Sequence, residues 1–260
     1  MSDELLSAVS FFYEAFFFIW GSFLNVVAYR LITQKTLFGR SMCTQCNTPI
    51  AWYDLVPILS FFMLRGHCRN CRKSISWLYP FIEIITVILM SALYWTNDYF
   101  MAYFILFSAL IVTIRTDLEY MLISPWMTLA LIPIGIILSI TDHLPIIPLD
   151  SILGAGVGFF SLFFIGTIFT AITGKEGIGQ GDFDLFGLIG AFTGLLGIWV
   201  TLLISSISAS IFGITYLLLS GGLRRNVSIP FGPFLALGAI LYVLFQEFII
   251  EVLFCNHLFS

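Results

Sequence analysis

Long apolar runs constrain this chain more than any other feature, because a run of about 20 such residues is long enough to cross the hydrocarbon core of a bilayer. We predict about eight spans, near residues 8–31, 78–96, 99–115, 122–141, 149–173, 183–194, 197–220 and 232–254. The sixth run is short and interrupted by glycines, so it is either a half-span or part of a polar turn buried in protein at membrane depth. Only 10% of the 260 residues are charged, against about 25% in a typical soluble domain. The pattern predicts an all-α polytopic membrane protein.

The basic residues predict how the spans are oriented. All 11 Lys and Arg fall at span ends or in loops that alternate spans place on one side: Arg30, Lys35, Arg40, Arg65, Arg69, Arg72, Lys73, Arg115, Lys175, Arg224 and Arg225. By the positive-inside rule this side is cytoplasmic, and residues 1–8, 97–98 and 142–150 lie outside. The first run follows acidic residues, so we expect it to remain as a span and not to be a cleaved signal. The formal net charge of −4 argues against nucleic acid as a partner.

One long polar segment, residues 32–77, separates the first span (1–31) from the later spans (78–260), and we predict that it is a small cytoplasmic domain. It contains CTQC and CRNC, separated by 21 residues. The four cysteines are Cys43, Cys46, Cys68 and Cys71. Two such pairs can close a tetrahedral thiolate site around Zn²⁺, which folds a loop too small for its own core. The site is expected to be structural, because four thiolates leave no open position for water.

Other readings of these cysteines are disfavoured. Disulfides are rare in the reducing cytoplasm, where the charge rule places the segment. His67 adjoins Cys68 and could replace a thiolate ligand, but we expect it to be a surface residue. Cys255, at the outer end of the last span, is expected to be a free or lipid-facing thiol.

Two acidic residues stand at cytoplasmic span ends, where each carboxylate near lipid costs about 2.5 to 3.5 kcal/mol. Asp117 lies in RTDLEYMLIS, and Asp182 lies in GQGDFD. Two carboxylates that come close together cannot both ionise, so one keeps a proton while the other remains a base. Such a pair can activate a water and protonate a leaving amine. Gly179 and Gly181 would leave room for an extended substrate backbone.

The residues alone leave an alternative open for this pair. Asp before an apolar run is also a favoured helix N-cap, so Asp117 and Asp182 fit that role equally well. Glu119 and Asp184 follow them at a distance of two residues. The pattern does not decide which of the four acids is catalytic.

Five ordered blocks together resemble the bacterial prepilin peptidases, the GxGD-type aspartic proteases of type IV pilus and type II secretion systems (peptidase family A24). GSFLNVVAYRL resembles the first span of that family, and CTQC with IAWYDLVPILSFFMLRGHCRNCRKSIS resembles its cysteine domain. YPFIEI resembles the start of the second span, GIGQGDFDLFGLIGAFTG the GxGD block, and IPFGPFLALGA the last span. A single GxGD would be weak evidence, but the five blocks cover most of the chain.

The resemblance implies an activity and roles for particular residues. Asp117 corresponds to the first catalytic aspartate and Asp182 to the second, which makes Glu119 and Asp184 neighbours that tune the local field. The implied reaction removes a short basic leader from a prepilin or pseudopilin at the cytoplasmic face of the bacterial inner membrane. Members with the cysteine domain also N-methylate the new terminus with S-adenosylmethionine. Glu83 matches these bifunctional members and is a candidate at the amine or the cofactor, although snorkelling to the membrane interface is an equal alternative.

The chain departs from the family pattern at two places. The GxGD of the family is usually followed by Phe-Lys-Leu, whereas here Asp184 replaces the Lys. A third acid beside the pair is expected to shift the pH optimum upward by repulsion between like charges, or to mark a weakened enzyme. The usual Ile-Pro-Asp after the first aspartate reads Ile123-Ser124-Pro125.

Three other functions compete with peptidase activity. A small polytopic transporter or assembly factor with a zinc-bound loop would place acids near the bilayer centre or show internal repeats, whereas here the acids lie at span ends and no repeat stands out. A presenilin-like GxGD protease would lack the cysteine domain. The third is a catalytically weakened homologue that binds prepilins.

Overall fold

The computed structural model describes residues 3–175, 177–220 and 229–255. These residues form nine α-helices and contain no β-strand, which confirms the predicted all-α class. The α-helices are α1 Asp3–Ile32, α2 Leu59–Met63, α3 Leu78–Thr96, α4 Phe100–Tyr120, α5 Ile132–Ile140, α6 Pro148–Thr173, α7 Gln180–Leu219, α8 Gly232–Leu244 and α9 Gln246–Cys255. Two short 3₁₀ helices lie at Trp52–Leu55 and Leu129–Leu131. The chain forms two compact units, Met1–Thr96 and Asn97–Ser260.

Five helices in the described part of the chain are long and apolar enough to cross a membrane: Phe12–Ile32 within α1, and α3, α4, α6 and α7. A sixth span results if α8 and α9, which are bent by 78° at a short break, are counted together. The chain is therefore a multi-pass membrane protein. The predicted run 122–141 contains only a short apolar helix, Leu129–Ile140, because residues 121–128 form a turn at Pro125, which lacks the N–H that a helix interior requires.

The predicted runs 183–194 and 197–220 lie in one 40-residue helix, α7, that is broken at Gly194. Gly194 has φ 69° and ψ −170°, a conformation that favours glycine. Two residues at the start of α6 satisfy backbone groups at this break. Leu195 N–H donates to Asp150 Oδ1 at 3.1 Å, and the Ser151 hydroxyl donates to Ala191 O at 2.6 Å. The break is thus fixed by contacts with α6.

Small residues bring neighbouring helices close together, as is typical of membrane proteins. In the first unit, Gly21 of α1 packs against Glu83 and Thr86 of α3. In the second unit, Gly154 of α6 faces the backbone of Gly190 in α7 so closely that a Cβ on either glycine would overlap the other backbone. This packing holds α7, and with it the Asp182 end, firmly against α6.

Polar contacts of α1 hold the first unit together. Asn25 Nδ2 donates to Tyr79 O of α3 at 3.1 Å. The Arg30 guanidinium donates to Gly39 O at 2.9 Å, and also to the carbonyl oxygens of Leu37 and Arg40. Arg30 therefore fastens the beginning of the polar segment to the end of α1.

Candidate functional site

Asp117 lies in the last turn of α4, which ends at Tyr120, and its side chain is 6% exposed. Its Oδ2 accepts a hydrogen bond of 3.0 Å from the N–H of Gly232, the first residue of α8. The alternative that Asp117 is a helix N-cap is wrong, because the residue is at the C-terminal end of its helix. Its backbone carbonyl instead accepts the N–H of Met121, the left-handed residue (φ 52°) that terminates α4.

Asp182 lies in the first turn of α7, and its side chain is 8% exposed. Its Oδ2 accepts the N–H of Gly179 at 3.2 Å, which satisfies one donor at the start of the helix. The prediction that Asp182 is itself the N-cap is wrong, because Gly179 is the N-cap and Asp182 is the third residue of the helix, where one carboxylate oxygen binds the N-cap N–H. The other oxygen, Oδ1, is buried and has no hydrogen-bond partner among the described residues, so this atom remains able to bind water or substrate.

The structure brings Asp117 and Asp182 to one place, because Ile123 packs against both Gly181, which precedes Asp182, and Gly232, whose N–H binds Asp117. The C-terminal end of α4 meets the N-terminal ends of α7 and α8 at this point. Helix N-termini carry partial positive charge and free N–H groups, which stabilise nearby carboxylates. Each carboxylate uses one oxygen to accept a backbone N–H from such an end, Gly232 for Asp117 and Gly179 for Asp182.

Ile123 packs at the centre of this convergence. A Cβ on Gly181 would lie 2.7 Å from Ile123 Cβ, and a Cβ on Gly232 would lie 3.2 Å from Ile123 Cδ1. Gly181 is therefore explained by close packing against Ile123, and not by the room for a substrate backbone that we expected. Gly179 makes no comparable contact, since a Cβ there would meet only Asp182 Oδ2, at 3.4 Å.

The neighbouring acids are placed differently from the pair. Glu119, 30% exposed, forms an ion pair with Arg115 one turn earlier in α4. Asp184 is 4% exposed, and it accepts no hydrogen bond and forms no ion pair within the described residues. Two residues along a helix correspond to a rotation of about 200°, so Asp184 points away from the side of α7 that carries Asp182. Glu176 lies outside the described residues, as do Arg224 and Arg225.

The cysteine segment is built from two copies of one backbone motif, 25 residues apart. In the first, Cys43 N–H donates to Thr48 O, and Asn47 N–H donates to Cys43 O. In the second, the same bonds run from Cys68 to the Lys73 carbonyl and from Arg72 to the Cys68 carbonyl. The isolated bridges Met42–Pro49 and His67–Ser74 close the two turns. No repeat stands out in the sequence, and this short one lies in the backbone hydrogen bonds of the two turns.

The two turns present the four cysteine sulfurs to one another as a candidate metal centre. All four Sγ atoms lie within 4.8 Å of each other, and Cys43 Sγ is 3.9 Å from Cys71 Sγ. Zn²⁺ bound tetrahedrally by thiolates at 2.3 Å would place the sulfurs about 3.8 Å apart. The four cysteines therefore fit a structural zinc ion. His67 is exposed, and its Nδ1 lies 2.6 Å from Arg65 O, outside the sulfur cluster.

Local hydrogen bonds favour the thiolate form, which is the form that binds metal, at Cys46 and Cys68, whereas burial and the neighbouring cysteines raise the pKa of Cys71 to about 11. The Thr48 hydroxyl lies 2.9 Å from Cys46 Sγ and lowers the pKa of that thiol to about 6. Backbone N–H groups of Cys71 and Asn70 lower the pKa of Cys68. The side chain of Cys255 lies outside the described part of the chain.

Glu83 is buried in α3, with 7% of its surface exposed, which does not fit the snorkelling alternative. Its Oε2 accepts the N–H of Ile58 at 2.8 Å, and the Ser22 hydroxyl of α1 is a second hydrogen-bond partner. The carboxylate thus links α1, α3 and the polar segment.

The sequence did not predict the contacts of Ile58, Gly232 and Ile123 with the candidate site residues. The only signal for Gly232 was its position before Pro233 at the start of an apolar run.

Comparisons with known proteins agree with this division of the chain. The family model "Bacterial Peptidase A24 N-terminal domain" matches residues 16–97. The model "Type IV leader peptidase family" matches residues 104–214, which include Asp117 and Asp182. The first match ends at residue 97, one residue after the last residue of the first compact unit, and the second match lies wholly within the second unit.

Several curated relatives share the name "Prepilin leader peptidase/N-methyltransferase". The protein from Aeromonas salmonicida (strain A449) is 32% identical over 278 aligned residues, which cover 94% of each chain. The protein from Aeromonas hydrophila is 31% identical, with 98% of each chain covered. The protein from Xanthomonas campestris pv. campestris is 38% identical, with 72% of this chain and 66% of the relative covered. No solved structure matches this chain significantly. The identity and coverage of these relatives, together with the two domain matches, confirm the resemblance, and the chain belongs to the type IV leader peptidase family.

Proposed function

We propose that this chain is an intramembrane aspartic endopeptidase that removes the short basic leader from type IV prepilins or pseudopilins, and that it also N-methylates the new N-terminus. One observation carries the proposal. Asp117 and Asp182 are both buried at the place where three helix ends meet, each held by a backbone N–H. The relatives named prepilin leader peptidase/N-methyltransferase supply the substrate class.

The geometry suits hydrolysis by two carboxylates. Each aspartate has one oxygen bound by a backbone N–H, which fixes its orientation and leaves the second oxygen for chemistry. With one proton shared between the carboxylates, the ionised member takes a proton from water. The water oxygen then bonds to the scissile carbonyl carbon. The protonated member gives its proton to the leaving amine as the carbon–nitrogen bond breaks.

The location of the pair suits a substrate that is itself a membrane helix. We place the chain in the bacterial inner membrane, with the polar segment and both aspartates on the cytoplasmic side, because all the basic residues fit that orientation. A substrate helix in the same bilayer, with its leader in the cytoplasm, would present the scissile bond at the level of these helix ends. The substrate then stays in lipid during cleavage.

The first unit supplies the candidate elements for methyl transfer. We assign residues 32–77 to a zinc-binding domain held by Cys43, Cys46, Cys68 and Cys71, and residues 78–260 to the helices that include the peptidase core. S-adenosylmethionine would supply the methyl group. Glu83 is the candidate residue at the amine or the cofactor, because it is a buried carboxylate beside the cysteine segment. Glu83→Gln should lower methylation of the cleaved product while cleavage continues.

The decisive experiment compares purified variants acting on a leader-bearing prepilin, with cleavage followed by mass spectrometry. Asp117→Asn and Asp182→Asn should each abolish cleavage, because Asn can neither accept nor return the proton. Asp98→Asn is the matched control, since Asp98 is exposed and lies in the loop between α3 and α4. Melting temperature and zinc content should match the unaltered protein in all three variants. Cleavage that survives either dyad substitution would contradict the proposed site.

A further inference from the structure

The short helix α2 presents apolar side chains outward instead of burying them. Its sequence is LSFFM, and Leu59, Phe62 and Met63 are 62%, 57% and 81% exposed. Phe61 alone turns inward, where its ring contacts Gly66 and lies 4.7 Å from the ring of Trp77. An exposed group of large apolar side chains marks a surface that contacts another apolar phase or partner.

Trp77 extends this exposed surface to the start of a membrane-spanning helix. Its side chain is 68% exposed, and its ring lies 6.2 Å from the ring of Phe62. The next residue, Leu78, is the first of α3. Tryptophan at the end of a span is typical of the membrane–water interface. We call Leu59, Phe62, Met63 and Trp77 the α2 patch.

A hydrogen bond fixes the depth of α2 relative to α3. Ile58, the residue before α2, donates its N–H to Glu83 Oε2 at 2.8 Å. Glu83 lies five residues after Leu78, which corresponds to about 7.5 Å along the helix axis. The N-terminus of α2 therefore lies beside the second turn of α3, within the apolar span Leu78–Thr96. A segment at that level lies within the depth of the bilayer and not in the water above it.

The backbone at this point is held in a tight reversal. Leu59 N–H bonds to Pro57 O at 2.6 Å, and Ile58 between them has φ 61° and ψ −53°. This is a γ-turn with a positive central φ, which is rare and strained, above all for a β-branched residue. Strained conformations persist only where surrounding contacts hold them. The bond to Glu83 is such a contact, and it ties the start of α2 to the second turn of α3.

The charge of the polar segment complements an anionic lipid surface. Residues 33–77 contain six Lys or Arg and one acid, Asp54. That acid is already paired with Arg69, through two bonds of 2.7 and 2.9 Å. Arg65, Arg72 and Lys73 remain exposed on the turn that follows α2. Each such cation near an anionic leaflet adds to membrane attraction.

We propose that α2 is an interfacial helix whose patch inserts among the lipid headgroups and upper acyl chains, while Arg65, Arg72 and Lys73 bind anionic headgroups. The occupant is lipid because the patch is continuous with the span α3 and lies at its depth. The cysteine turns are thereby held on the bilayer surface. This role does not depend on the proposed enzymatic activity.

Photocrosslinking in reconstituted protein tests the lipid contact. The full chain is placed in nanodiscs of phosphatidylcholine and phosphatidylglycerol, with p-benzoylphenylalanine replacing Phe62. The matched control carries the same group at Phe38, which is 91% exposed in the same polar segment. Mass spectrometry should find lipid adducts several-fold more often at position 62. Equal yields at both positions, or no lipid adduct at position 62, would overturn the proposal. Adducts that move from lipid to an added prepilin would identify the patch as a substrate surface and overturn it as well.

A charge series tests the second half of the proposal independently. The charge series combines Arg65→Gln, Arg72→Gln and Lys73→Gln stepwise. Each step should lower the amount of phosphatidylglycerol retained during delipidation about fivefold, because that factor corresponds to the membrane attraction expected for one cation. The loss should be smaller at high salt because exposed charges are screened. Arg69→Gln is the control, since Arg69 is paired with Asp54. Unchanged lipid retention in the triple variant would refute headgroup binding.

Discussion

Replacing Gly232 by alanine should disable the aspartate pair without unfolding the protein. Gly232 N–H is the donor that orients Asp117, and a Cβ at this position would lie 2.7 Å from Asp117 Oδ2. Ordinary contacts of a Cβ begin near 3.4 Å, so the carboxylate would have to retreat by roughly 0.7 Å. Gly232 does not have a positive φ, so alanine adopts the backbone without strain and the contact with Asp117 is the main effect.

The expected loss of activity follows from this displacement. A shift of about 1 Å in a catalytic group can cost about 100-fold in rate. We therefore expect Gly232→Ala to lower kcat/KM for prepilin cleavage by about 10- to 100-fold, equivalent to about 1.4 to 2.7 kcal/mol of transition-state stabilisation. The melting temperature should stay close to that of the unaltered protein, since alanine is a better helix former than glycine.

Steady-state cleavage of a prepilin peptide in detergent gives the measurement. Gly156→Ala in α6 and Gly213→Ala in α7 are matched controls, because a Cβ at either position meets nothing within 4 Å. Both controls should cleave normally. A cleavage rate of Gly232→Ala within twofold of the controls would show that catalysis does not depend on the present position of the Asp117 carboxylate.

Three further predictions concern residues around the site. Asp184→Asn should raise the melting temperature by a few degrees, because it removes a buried carboxylate without a partner among the described residues. Cleavage should persist in this variant, and a lower melting temperature would contradict the prediction. Zinc removal by a chelator should abolish methyl transfer but leave the cleavage rate within several-fold of that of the zinc-loaded protein. The reason is that both aspartates and their N–H donors belong to residues 97–260. Parallel loss of both reactions, restored by zinc, would contradict this prediction. Asp150→Ala should destabilise the protein by about 1 to 3 kcal/mol in thermal unfolding, because Leu195 N–H at the α7 break loses its acceptor, whereas Asp98→Ala, at an exposed position, should have no such effect.

Hydropathy predicted where most helices lie, but not where α4 ends. The apolar run stops at Arg115, and so the sequence placed Asp117 outside the third span. In the structure α4 continues to Tyr120, because Arg115 is buried and neutralised by Glu119 one turn later. A local ion pair allows the helix to continue through two charges that a hydropathy profile treats as its end. The helical position of Asp117 follows from that pair.

Other features of the fold depend on contacts distant in sequence. The break at Gly194 is invisible in an apolar run, because it is stabilised by Asp150 and Ser151 more than 40 residues earlier. The repeated cysteine turn was hidden because the two copies share little beyond the cysteines and an isoleucine. Their likeness is in the backbone hydrogen bonds. The cysteines were predictable from spacing because metal ligation depends on residue type and local separation.

Asp184 was expected to act on the aspartate pair as a third negative charge, and its orientation argues against that role. It follows Asp182 by about 200° around α7, whereas Asp117 and Asp182 lie at the same convergence of helix ends. Replacing the usual Lys of the family by Asp therefore changes a position that faces away from the pair. The pH dependence of cleavage should be set by Asp117 and Asp182 alone, so Asp184→Asn should leave the pH optimum unchanged. A shifted optimum would show that the charge of Asp184 reaches the pair despite its orientation.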